Sequence, residues 1–291
     1  MHLDPAQLSA LAAVLRHGSF DAAARVLNVT PPAISQRIKA LEDQVGTPLV
    51  RRSTPCQATD KGKILARYAD DLALLQSGVL SQLNITGRPV NLRIAVNADS
   101  LATWFISALT ATDLLYELEI DDQDHSADWL RTGEVCAAIT SRSQPVQGCD
   151  VVPLGTLEYL AVASPAFVAR YFANGITPQA LQSAPMITFS PKDRLQRDWA
   201  SHLAGRPIQP PTHLIPSSQA FVHASLAGIG WGMNPTRLVM DHIKRGDLVI
   251  LGDGTTLPTP LYWQTTRHMK SVLAPLTRAV IKSAKSALRP L

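Results

Sequence analysis

The stretch from Asn28 to Val45 constrains this chain more than any other. Thr30 is a natural helix cap, Pro31 and Pro32 suit a first helical turn, and Ile34, Ile38, Leu41 and Val45 follow at steps of four, three and four. That spacing predicts a helix with one buried stripe. Its opposite face carries Ser35, Gln36, Arg37 and Lys39, whose polar groups suit base edges or phosphates in a major groove wide enough to admit a helix. Upstream, Ser19 is placed to cap a short helix in which Phe20, Ala23, Ala24 and Leu27 recur, and Asn28-Val29 turns from it into the next. Leu8, Leu11, Val14 and Leu15, behind Asp4-Pro5, predict a first helix that breaks at His17-Gly18. The second and third helices read as a helix-turn-helix.

Beyond Gly46, Pro48-Leu49-Val50-Arg51-Arg52 followed by Ser53-Thr54-Pro55 predicts a short strand and turn. This would be a wing whose two arginines reach phosphate or the minor groove, the plainer alternative being a solvated basic loop. Charge supports the wing. Residues 1–67 hold nine Lys/Arg against five Asp/Glu, whereas the remaining residues hold eighteen of each, so the formal charge of +4 sits in the first quarter. A basic head on a neutral body points to a polyanion at the head.

The runs Phe20-Asp21-Ala22-Ala23-Ala24, Val29-Thr30-Pro31-Pro32-Ala33-Ile34-Ser35-Gln36-Arg37-Ile38-Lys39-Ala40-Leu41-Glu42 and Gly46-Thr47-Pro48-Leu49-Val50-Arg51-Arg52 closely resemble the winged helix-turn-helix of LysR-type transcriptional regulators. Within that family the similarity is greatest to the lysine/arginine-responsive branch, regulators of basic amino acid exporters. The run Asn97-Ala98-Asp99-Ser100-Leu101-Ala102-Thr103-Trp104-Phe105 points to the same branch. The resemblance spans essentially the whole chain. The residues assigned to double-stranded operator DNA are Thr30, Pro32, Ser35, Gln36, Arg37, Lys39, Arg51 and Arg52.

From Thr59, with Asp60 in the first turn, Leu65, Tyr68, Leu72, Leu75 and Val79 step by three, four, three and four, a heptad seam of about two repeats. One amphipathic helix packed on its own domain would show the same stripe. The resemblance implies that these five residues pair two copies, since linker helices of the family associate in antiparallel fashion, and it implies a homodimer that can pair again into a dimer of dimers. Asn84 to Pro89 breaks the helix.

Strand-like and helix-like segments alternate after this linker, beginning with Val90 to Val96 and continuing to helix Pro235 to Lys244, which predicts an α/β fold with a mostly parallel sheet. Two lobes of similar size fit better than one. The resemblance implies lobes like those of periplasmic binding proteins, joined by crossovers near Ala163-Ser164 and Gln264-Arg267. The expected organisation is a DNA-binding domain at 1–58, a dimerisation helix at 59–87 and an effector-binding domain at 88–291. Lobe I covers about 88–163 and 268–291, and lobe II about 164–267.

Several classes are disfavoured. No apolar run approaches the roughly 18 residues of a spanning helix, and Met1-His2-Leu3-Asp4-Pro5 has no export pattern, so the expected location is the cytoplasm. Cys56, Cys136 and Cys149 fit neither a disulfide framework nor a zinc site and are expected to be reduced. No nucleophile elbow, metalloprotease helix, dinucleotide fingerprint or phosphate loop occurs, and eight histidines lack ligand spacing. Gly228, Gly230 and Gly232 follow a helix and read as turn glycines. No enzyme activity, metal or cofactor is expected.

A binding cleft is better supported. Asp99-Ser100 stands where the first strand of the body gives way to a helix, so backbone N–H groups and the Ser100 hydroxyl suit a carboxylate, ordinary capping being the plain alternative. Between Arg93 and Arg131 there is no Lys or Arg, while Glu117, Glu119, Asp121, Asp122, Asp124 and Asp128 accumulate. Alternation along Tyr116 to Ile120 sends Glu117 and Glu119 to solvent and leaves Asp121 and Asp122 at the strand's carboxyl end. Asp122 belongs to a run that resembles the family's acidic motif. Asp99, Ser100, Thr103, Asp121, Asp122, Thr140 and Phe189 are the expected effector residues, with Trp104 and Trp231 assigned to the core. They suit a zwitterion with an extra cation, lysine or arginine.

The reading is thus a DNA-binding regulator with a small-molecule sensor that controls a transport or export gene, with RNA polymerase a further candidate partner. The alternatives are the same architecture sensing another metabolite, or a nucleoid or replication-origin binding protein.

Overall fold

The structure, a computed structural model, describes residues 2–85, 90–120 and 126–291, apart from the side chain of Ser81. It divides into two units, one of residues 1–92 with 114–116 and one of residues 93–113 with 117–291.

In the first unit, helix α1 (Pro5–His17) is capped by the Asp4 carboxylate, α2 (Phe20–Leu27) by the Ser19 hydroxyl and α3 (Pro31–Val45) by the Thr30 hydroxyl. Each cap accepts a backbone N–H that would otherwise lack a partner. Leu8, Leu11, Val14, Ala23, Ala24, Ile34, Ile38 and Leu41 close into one core under the three helices. The small Ala23 and Ala24 let α2 lie close to its neighbours. Strand β1 (Val50–Arg51) pairs antiparallel with β2 (Gln57–Ala58), forming the expected wing.

Helix α4 (Asp60–Gln82) follows directly. The Thr59 hydroxyl donates to the carbonyls of Pro48 and Leu49 at 2.9 and 3.3 Å and accepts from the N–H of Gly62 at 3.1 Å. A Cβ on Gly62 would stand 2.0 Å from the Leu49 carbonyl oxygen, so the first turn of α4 lies against the wing only because this residue has no side chain.

The α4 stripe divides between the head's own core and solvent. Leu65 and Leu72, expected in a seam between two copies, pack with Ala69 against the head's own core, because α1 lies along α4. Tyr68 and Val79 are exposed, as are Ile64 and Leu83, which the periodicity did not single out; Leu75 is half-buried.

The largest sheet has the strands β3 (Asn91–Val96), β4 (Leu115–Ile120), β5 (Ala137–Thr140), β6 (Cys149–Ala163), β9 (Gly232–Pro235), β10 (Val249–Ile250) and β11 (Leu257–Thr266). The order is β10-β6-β11-β5-β3-β4, with β9 also on β6. A mostly parallel sheet was expected, and the pairing overturns this. β3 runs parallel to β5, but β6 is antiparallel to β9, β10 and β11, and β11 is antiparallel to β5. β6 and β11 are long and run side by side, with one bulge at Leu261/Tyr262. A smaller parallel pair joins β7 (Met186–Thr188) to β8 (Thr212–Leu214).

After β3 comes a helical run made of α5 (Ala98–Ser100), a wide π-type turn (Leu101–Phe105) and α6 (Ile106–Leu109). Helix α13 (Lys270–Ala287) packs along that run. Helices α10 (Leu195–Ala204) and α11 (Ser218–Leu226) flank β7. Trp104 and Trp231 are buried, as expected of core residues. On β4 the alternation is less clean than predicted: Glu117 is exposed as expected, but so is Ile120, and Glu119 is drawn in by Arg93, whose Nη2 lies 2.5 Å from Glu119 Oε1. Among the described residues, no helix is long and apolar enough to cross a membrane.

Candidate functional site

Two sites emerge, one in each unit. On the head, Ile34, Ile38 and Leu41 turn α3 inward and leave Pro32, Gln36 and Lys39 exposed, with Ser35 and Arg37 half-buried beside them. Thr30 is exposed at the helix start, with its hydroxyl used as the cap. Glu42, on the same helix, accepts the N–H groups of Leu49 and Val50 at 2.7 and 3.2 Å, which fixes the wing relative to α3. Arg51 is exposed on the wing, and the Arg52 guanidinium rests over the Phe20 ring, 5.1 Å from its centre. One continuous basic and polar face therefore joins α3 to the wing.

In the second unit, Asp99, at the start of the helical run, lines a small open pocket together with Phe189, Asp193, Ser218, Phe221 and Asn234. The two Asp99 carboxylate oxygens accept from Tyr159 Oη at 2.7 Å and from Ser218 Oγ at 2.6 Å. Both donors are neutral, so they orient the carboxylate without cancelling its charge. Among the described residues that line the cavity there is no Lys, Arg or His. Asp193 differs in role. Its oxygens accept from the Thr188 hydroxyl, the Gln196 amide and the N–H groups of Phe189 and Leu195, so it holds the β7–α10 turn in shape.

The expected effector residues are only partly brought together. Asp99 and Phe189 line the cavity. Ser100 is fully buried and its hydroxyl has no partner; the side chain of Asn97, just before the helix, is also buried and makes no cap. Ordinary capping therefore does not explain this turn. Thr103 does not line the cavity, since its hydroxyl donates to the Asp99 carbonyl at 2.5 Å. Nor does Thr140, which receives the Gln264 amide at 3.1 Å and donates to the Arg142 carbonyl. Asp121 and Asp122 lie outside the described residues.

Sequence reasoning missed Tyr159, Asp193, Ser218 and Asn234. Asn234 follows the glycine cluster, whose reading also changes. Gly228 does take a turn conformation at φ +73°, but Gly232 begins β9, where a Cβ would come within 2.4 Å of the Phe221 ring. Of the cysteines, Cys149 is buried, and burial pushes its thiol above the ordinary value of 9.0, which keeps it protonated and inert.

Residues 5–63 match the bacterial regulatory helix-turn-helix protein family, lysR type, and residues 91–289 match the LysR substrate binding domain. The chain is 44% identical over 290 residues to the HTH-type transcriptional regulator LysG of Mycobacterium tuberculosis, covering 99% of this chain and 95% of that one. Its structure is similar to the crystal structure of ArgP from Mycobacterium tuberculosis, with a TM-score of 0.82 and 43% identity over the full length of both chains. It is also similar to full-length LysG from Corynebacterium glutamicum with bound effector Arg, with a TM-score of 0.67 and 36% identity over 99% of this chain and 100% of that one.

Proposed function

The chain belongs to the LysR family of transcriptional regulators, and from that premise we propose that its sensor binds a basic amino acid, lysine or arginine, at Asp99. The observation that carries this reading is an acidic pocket: Asp99 and Asp193 line it, and its described lining offers no Lys, Arg or His. The effector Arg bound in the Corynebacterium glutamicum relative supports the same ligand class. Ser100 and its turn receive the ligand's carboxylate, and the acidic run through Asp121 and Asp122 is the candidate for its side-chain cation.

The regulator works in the cytoplasm as a homodimer on operator DNA. Its head is residues 1–58, its dimerisation helix 59–87 and its sensor 88–291, with lobe I near 88–163 and 268–291 and lobe II near 164–267. Gln36 and Arg37 read base edges, while Arg51 and Arg52 hold the phosphate backbone. Tyr68 and Val79 are the α4 residues exposed for a second copy.

A ligand that binds only the folded state raises its stability, so arginine and lysine should raise the thermal midpoint of the full chain and norleucine should not. Calorimetry should then find arginine affinity lower by about 1.5–3 kcal/mol in Asp99→Asn, at least tenfold. Norleucine stabilising the parent as strongly as lysine, or an unchanged arginine affinity in Asp99→Asn, would overturn the reading.

A further inference from the structure

Asn234 is 1% exposed, lines the same cavity as Asp99, and has a side-chain oxygen without a partner. Its orientation is fixed by its neighbours. Asn234 Nδ2 donates to the Gly232 carbonyl at 3.3 Å and lies 3.5 Å from Ser225 Oγ, which itself donates to the Phe221 carbonyl at 3.1 Å and so can receive. Turning the amide over would set Oδ1 against the Gly232 carbonyl oxygen, acceptor facing acceptor. The amide nitrogen is thus committed to the protein, and the oxygen remains as a buried acceptor without a donor. Such a group is costly unless something brings it an N–H or O–H.

We infer that Asn234 Oδ1 accepts a hydrogen bond from the ligand's α-ammonium group, whose charge is balanced by Asp99, and that Asn234 thereby selects α-amino acids over their des-amino analogues. The inference rests on the effector reading above. There the carboxylate goes to the Ser100 turn, and the α-ammonium is bonded to the same carbon, so it must lie near Ser100 rather than a side chain's length away. Asp99 is the adjacent residue and faces the cavity that Asn234 lines. An ammonium has three N–H donors and can serve a carboxylate and an amide oxygen together, which a neutral apolar group cannot do. The lysine or arginine side-chain cation then extends to other acidic groups, so Asn234 should not distinguish lysine from arginine.

Isothermal calorimetry on the full chain tests this with arginine, with agmatine, which keeps the amine but lacks the carboxylate, and with 5-guanidinopentanoate, which keeps the carboxylate but lacks the α-ammonium. In Asn234→Leu, of similar volume, arginine and lysine should each bind about tenfold more weakly, the loss expected when one hydrogen bond to a charged group is removed. Agmatine, which still carries the ammonium, should lose affinity in the variant as arginine does, whereas 5-guanidinopentanoate should bind parent and variant alike. Operator binding and the ligand-free thermal midpoint report that the variant folds, and Asn234→Thr serves the same purpose if Leu is not accommodated. Equal arginine affinity in parent and variant, as expected if Oδ1 merely holds a water, or an equal loss for 5-guanidinopentanoate, would overturn the assignment alone. A parent that binds no arginine would overturn the effector reading and this assignment together.

Discussion

The residues of the head's polar face all fall between Thr30 and Arg52, whereas the cavity joins Asp99 to Tyr159, 60 residues on, and to Ser218, 119 residues on. The two sites are built by different means. The head's face is the reverse side of a helical stripe, so the residues that bury Ile34, Ile38 and Leu41 also decide which residues stay outside. The cavity instead depends on the order in which β6, β9 and α11 return to the first helical run. A local site is tolerant of changes elsewhere in the chain, while an assembled one is vulnerable to any of the elements that bring it together.

The largest effect that probes this contrast is in the head core. Leu41 is 0% exposed, so Leu41→Ala should cost the head about 2–5 kcal/mol, from lost burial and the cavity left behind. Differential scanning calorimetry should show an early transition, with operator binding lost at temperatures where arginine still stabilises the remainder. A single transition that moves as a whole would break the comparison, because the two sites would then share one cooperative fold. A smaller effect sharpens the head's side. Gln36→Ala should lower affinity for cognate operator by about 1–3 kcal/mol and leave scrambled duplex nearly unchanged. Arg51→Ala should weaken both duplexes alike and reduce the salt slope by about one. Gel-shift titrations at two salt concentrations separate these outcomes.

The smallest effect concerns a long-range tie in the sensor. Asp150 hydrogen-bonds Lys270 and also Arg267, and the Lys270 ammonium first of all holds its carboxyl below the ordinary 3.8. A depressed folded value contributes stability above 3.8 that is lost as pH falls through the folded value. Asp150→Asn should therefore lower the thermal midpoint slightly and evenly from neutral pH down to about 4, and the gap should close below that. A gap that widened in acid would reverse the sign of this tie.

What was legible in the sequence follows the same division. Asp4, Ser19 and Thr30 announced three helices because a cap acts on atoms two or three residues away. The wing followed from its turn residues and arginines. In the body, β11 and the first half of β6 went unread, since an apolar run does not disclose which strand it will pair with or in what direction. Leu65 and Leu72 show a related limit: their spacing is the same whether the covering surface is α1 or another chain. Asp99 was legible as the end of a strand, but Tyr159, Ser218 and Asn234 carry no local mark of their meeting with it.

The absence of a side chain at Gly62 has a mechanical consequence. Thr59 and the Leu49 backbone clamp the first turn of α4 to the wing, and Glu42 clamps the wing to α3, so no joint separates the long helix from the basic face of the head. The assembly is a rigid lever. Its arm, the 23 residues of α4, is about 35 Å long at the usual helical rise. Swinging such an arm by roughly 5° moves its tip by about 3 Å, close to the spacing of successive base pairs. A slight tilt of that one helix would therefore carry the exposed Arg51 by about one base-pair step.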